Sequence, residues 1–112
     1  MKMLAAIAAM GFLLGAVASD ARAQGQGGDS EAGRALAVRV CAECHAVPAD
    51  QKSPRHDAGA PDFRAIALTP GMTATSLTVF LSTPHKTMPE IMFSKNEMSD
   101  VIAYILSTRN TN

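Results

Sequence analysis

Both cysteines of this 112-residue chain fall in one five-residue stretch, Cys41-Ala-Glu-Cys44-His45, with one of its three histidines beside them. No other feature restricts the fold so tightly. Paired thiols this close together serve as a disulfide, half of a zinc site, a redox dithiol, or an attachment point for a cofactor. A bridge from Cys41 to Cys44 would close a very short loop and stabilise little. Structural zinc takes four ligands, whereas this stretch has three, adjacent Cys44 and His45 point in different directions, and no second cysteine pair exists. A thioredoxin-like dithiol opens a helix after a buried strand, and no strand pattern precedes Cys41.

The remaining reading uses every residue of the stretch. Two thiols three positions apart at the end of a helix face one side, where they can add across the two vinyl groups of a single haem. His45, next in the chain, is then brought beneath the ring with an imidazole nitrogen toward the iron. This spacing reads as c-type haem attachment. It predicts one covalent haem c, held by Cys41 and Cys44 as thioethers and by His45 as an iron ligand.

The start of the chain agrees with that chemistry. Residues 1–23 have the layout of a cleavable secretory signal: Lys2, an apolar run over 3–18, polar Ser19 and Asp20, and the small-large-small Ala21-Arg22-Ala23. As a membrane anchor the run would span only ~24 Å at ~1.5 Å per residue, against a hydrocarbon core of ~30 Å. Cleavage after Ala23 implies export to a bacterial periplasm, an oxidising compartment in which two thiols committed to a cofactor are protected. It leaves 89 residues, one domain, near the size at which a staple or cofactor supplements the apolar core. The mature charge is −1, with 8 basic and 9 acidic residues, so no basic excess points to nucleic acid.

After the signal, the Gly-rich 24–29 reads as a disordered leader and 30–112 as the folded domain. The domain reads as all-α, about four helices wrapped around the haem, with no alternating β-branched run. The first helix is expected from Ser30, as cap, to about Val40, burying Ala35, Leu36 and Val40. A short second helix follows Pro61, with Phe63 and Ile66 on one face. The third, capped by Thr73, is expected to bury Leu77, Phe80 and Leu81 and to stop before Pro84. In the last, Ser94 and Glu97 form a capping box, Phe93 can staple onto Met98, and Met98, Val101, Ile102 and Ile105 form one stripe. Segments 46–60 and 82–93 remain as long loops that need something inside to pack against.

A haem held by His45 alone would be open to small ligands, and a sixth protein ligand would close it. Met98 is committed to a core stripe, Met72 to packing at the third helix, Met92 stands beside the staple, and His56 lies in a polar, solvated stretch. Met88, in Pro84-His-Lys-Thr-Met88-Pro89, occupies a loop bracketed by prolines, from which an unbranched thioether can reach an iron. Its rival is His85, three residues earlier, which would bind ferric iron more strongly.

With these residues in view, the chain resembles the small monohaem class I cytochromes c of bacteria over about 30–109. Gly33 lies eight residues before Cys41, Cys41–His45 is the attachment motif, Met88-Pro89 matches the distal methionine motif, and Asp100-Val-Ile-Ala-Tyr104-Ile matches the C-terminal helix. The resemblance implies that the C-terminal helix crosses the N-terminal one near Gly33. It also implies, from Gly59-Ala-Pro61, that the Pro61 carbonyl accepts the proximal histidine's Nδ1–H. Ala37 stands where family members often carry an aromatic. Arg64 and Tyr104 are candidates for the haem propionates.

The function this implies is a non-enzymatic single-electron carrier between larger redox proteins, a donor and an acceptor, without a membrane once the signal is removed. It would act as a monomer or as the electron-accepting small subunit of a periplasmic dehydrogenase. An open-site haem enzyme or gas sensor is the alternative if Met88 does not ligate. Electrons are expected to pass near the thioethers, through a docking face of Ala42, Val47 and the Met88-Pro89 loop.

Overall fold

Four α-helices are laid down in the expected order: α1 (Ser30–Val40), α2 (Phe63–Leu68), α3 (Ala74–Leu81) and α4 (Lys95–Ser107), the last running into a 3-10 turn, Thr108–Asn110. The computed structural model describes residues 27–48 and 59–111, and among them there is no strand. The expected signal peptide, most of the leader and His56 lie outside the described residues.

Each helix begins where a side chain can satisfy its first backbone donors. Asp29, rather than Ser30, caps α1, its carboxylate accepting from the Glu31 and Ala32 N–H groups. Asp62 does the same for α2 through the Ala65 N–H. Thr73 and Ser76 form a capping box on α3, and Ser94 and Glu97 form the anticipated one on α4. Thr83 closes α3 from the other end, its hydroxyl donating to the Val79 and Phe80 carbonyls just before Pro84.

The α1–α4 crossing is the most extensive contact between helices. At its centre Gly33 lies so close to Asp100 that a Cβ there would overlap the Asp100 carbonyl. That proximity corrects the face expected of α1: the buried residues are Gly33 and Ala37, with Leu36 half-buried, while Ala35 and Val40 are exposed. Two backbones this near leave room for small residues on the seam, so the larger ones move to its flanks. Ala37 is fully buried.

The N-terminal segment is tied to the same crossing. Gly28 lies against the Ser99 backbone, and the Asp29 N–H donates to the Asp100 carboxylate at 2.7 Å. Packing therefore reaches back into the last two residues of the expected leader.

Val101, Ile102 and Ile105 of α4 enter a core shared with Ala37, Val47, Phe63, Ala67 and Leu77. Phe93 and Met98, the expected staple, are both half-buried against it. Arg109 closes the far end, donating from Nε to the Ala67 carbonyl at 2.7 Å and from Nη2 to the Met72 carbonyl. Leu77 of α3 is buried as expected and Leu81 half-buried, but Phe80 remains half-exposed. Its ring turns instead onto His85 in the following loop.

Candidate cofactor site

The attachment stretch leaves α1 in a tight turn. The Cys41 N–H donates to the Ala37 carbonyl, and the N–H groups of Cys44 and His45 both donate to the Cys41 carbonyl, at 3.1 and 2.9 Å. The turn holds the two thiols and the imidazole together on one short length of chain. Cys41 is buried and Cys44 half-buried. Burial pushes the Cys41 thiol up to about 11, so it is a neutral thiol at physiological pH. A redox dithiol works through a thiol whose pKa is lowered. The environment of Cys41 does the opposite.

His45 is fixed from several directions. Its Nδ1 lies 2.7 Å from the Pro61 carbonyl oxygen. A carbonyl only accepts, so Nδ1 carries the proton, and in the neutral ring Nε2 is left with the lone pair that a metal takes. Beside it the Phe63 N–H donates to the Ala46 carbonyl at 3.0 Å, joining the start of α2 to the turn. The Phe63 ring meets the imidazole edge-on at 5.6 Å and the Tyr104 ring at 6.1 Å. The Tyr104 hydroxyl donates to the Val47 carbonyl at 3.2 Å, in the core. Tyr104 thus braces the segment after the motif against α4, and its one donor is spent on protein. Tyr104 is therefore a packing residue, the alternative to its candidacy for a propionate. Arg64 is exposed.

Met88 belongs to a second cluster. It is half-buried and lines a cavity of about 200 Å³ between the end of α3 and the start of α4, with His85, Ile91, Met92, Phe93 and Met98 among its other walls. The walls of this cavity do not include Cys41, Cys44 or His45. His85 is half-buried, its ring centroid 3.8 Å from that of Phe80. Met72 packs at the start of α3, where its sulfur accepts from the Ser76 hydroxyl at 3.5 Å. Met92 is 92% exposed. Among the described residues no three His, Cys, Asp or Glu side chains gather in a cluster that could hold an ion.

The expected docking face is corrected at two positions. Ala42 and Val47 belong to the core and present almost no surface. Near the motif Arg39, Val40 and Glu43 are exposed, and on the methionine loop so are Lys86, Thr87, Pro89 and Glu90.

Cytochrome c-552 of Bradyrhizobium diazoefficiens is 38% identical to this chain over 81 residues, 72% of this chain and 76% of that protein. The chain belongs to the small bacterial class I cytochromes c. Its four helices are a cytochrome c fold, and the Gly33 crossing and the braced His45 are features of this cytochrome c's own geometry. No family model matches the chain, and no solved structure is a significant match.

Composition and spacing left several of these contacts out of reach. The Tyr104–Val47 bond, the Arg109 clamp and the Phe80–His85 pair join residues whose separations carry no local signal. Asp29 as a cap was legible in principle, since Asp ranks with Ser at that position.

Proposed function

We propose that this cytochrome c is an exported single-electron carrier whose one haem c is attached through Cys41 and Cys44 and ligated by His45 and Met88. The residues fit such a group. Two thiols share a turn with a histidine whose Nδ1 is engaged by Pro61, which leaves Nε2 as the ligand atom. That hydrogen bond is the observation that carries the reading. When bound, the haem supplies a one-electron iron couple, and a thioether ligand raises its potential relative to a second imidazole.

The chain's own contribution is to hold the ligands still. Pro61, Phe63 and Tyr104 fix the orientation of the imidazole, and the Pro61 carbonyl makes it a more basic ligand. Met88 comes from a loop bounded by the capped end of α3 and the capping box of α4. Ligands retained in both oxidation states leave little to reorganise when an electron moves. Donor and acceptor are larger redox proteins of the periplasm, with the carrier acting alone or as a dehydrogenase subunit. Among the described residues no helix is long and apolar enough to cross a membrane.

Carbon monoxide added to the reduced holoprotein tests this reading. A closed His45/Met88 site leaves the spectrum unchanged over minutes, whereas rapid binding would identify an open site and an enzyme or sensor.

A further inference from the structure

His85 and Met88 present the iron with competing ligands. They line the same cavity, and three residues of chain reach at most about 11 Å, so a loop that delivers Met88 brings His85 with it. Imidazole suits iron, and a second one would replace the thioether and lower the potential. Something must keep His85 out of the iron's reach.

The ring of Phe80 is placed to do this. The imidazole of His85 lies on it with centroids 3.8 Å apart and planes at 41°. Phe80 is 52% exposed on the last turn of α3, and its ring is turned onto His85 and not into the core. The Phe80 carbonyl accepts from the Thr83 hydroxyl at 3.2 Å at the helix exit, and Pro84 then restricts the direction of the chain into His85. The ring pair therefore stands at the hydrogen-bonded end of α3.

We propose that Phe80 is a ligand-selecting residue: by engaging His85 it withholds that imidazole from the iron and leaves the distal position to Met88. The inference rests on the His45/Met88 assignment above and goes beyond it. It makes Phe80 a positioning residue that acts through His85, so simple destabilisation and loss of selection must be told apart.

The test uses the mature holoprotein and reads the ferric absorption spectrum, including the long-wavelength band of thioether ligation, together with the midpoint potential. Phe80→Ala is expected to lose most of the thioether band, become bis-histidine low-spin, and fall in potential. Adding His85→Ala to that variant is expected to restore the band and the potential, and Phe80→Tyr, which keeps the ring, to behave as wild type. A Phe80→Ala protein with the wild-type band and potential overturns the inference, and so does a double variant no different from Phe80→Ala. A wild-type protein without the thioether band overturns the Met88 assignment itself, a failure read before any variant is made.

Discussion

At the scale of the residue, the decisive contacts are those that leave an atom available. The Pro61 carbonyl accepts a hydrogen bond from the His45 Nδ1–H and so leaves Nε2 with the lone pair that a metal can take. Burial pushes the Cys41 thiol up to about 11, the opposite of the lowered pKa that a redox-cycling thiol uses. Met88, the proposed sixth ligand, is half-buried against its cavity, and its removal is the sharpest residue-level probe. Met88→Ala is expected to open the sixth position: the reduced variant should bind carbon monoxide rapidly and lose the thioether band. A variant spectrum identical to wild type would remove Met88 from the ligand set. The Cys41–His45 stretch stands out because its residues are adjacent in the chain, whereas the Pro61 bond to His45 was reached through family resemblance. Tyr104 illustrates the limit: its partner, Val47, lies 57 residues away, and nothing in the spacing pairs them.

At the scale of the element, helix ends and the α1–α4 seam carry the argument. Replacing Gly33 by Ala would drive a methyl group into the Asp100 backbone, which cannot swing aside as a flexible side chain can. Despite the better helix propensity of Ala, overpacking of this kind is expected to cost about 1–3 kcal/mol. A thermal melt should show Tm falling by roughly 4–8 °C per kcal/mol in a domain of this size. The α4 capping box makes a pH prediction. The Ser94 N–H, and then the Ser94 hydroxyl, hold the Glu97 carboxyl below its ordinary 4.5. A carboxylate whose folded pKa is depressed stabilises the fold above its unfolded value, and that stabilisation is lost as pH falls through the lower folded value. Glu97→Ala should therefore melt below wild type at pH 7, with the gap closing as the pH is taken below 4.5. That box was readable because its two residues are three apart. The buried face of α1 was not. Hydrophobic size ranks Val40 above Gly33, but a crossing at backbone distance selects the smallest residues, and only the partner helix reveals it. Phe80 failed for a related reason: its apolar partner is a loop histidine, not the core.

At the scale of the whole molecule, the exposed charges near the two parts of the site are balanced, Arg39 with Glu43 beside the motif and Lys86 with Glu90 on the methionine loop. With a formal net charge of 0 over the full chain, no large charge excess is available to steer a partner. Electron-transfer rates with a redox partner are expected to change little with added salt. A steep fall would show that a charged face governs docking. The order of helices and the all-α class were visible in the sequence because each helix carries its own start signal; their mutual placement rests on the Gly33 crossing and the Tyr104 and Arg109 bonds. All of these converge on one claim, that Cys41 and Cys44 are spent on a haem. Denaturing mass analysis of the mature protein, exported by a host able to attach haem and combined with a thiol titration, measures it directly. The expected result is the peptide mass plus one haem with no reactive thiol. The bare peptide mass with two titratable thiols would contradict it.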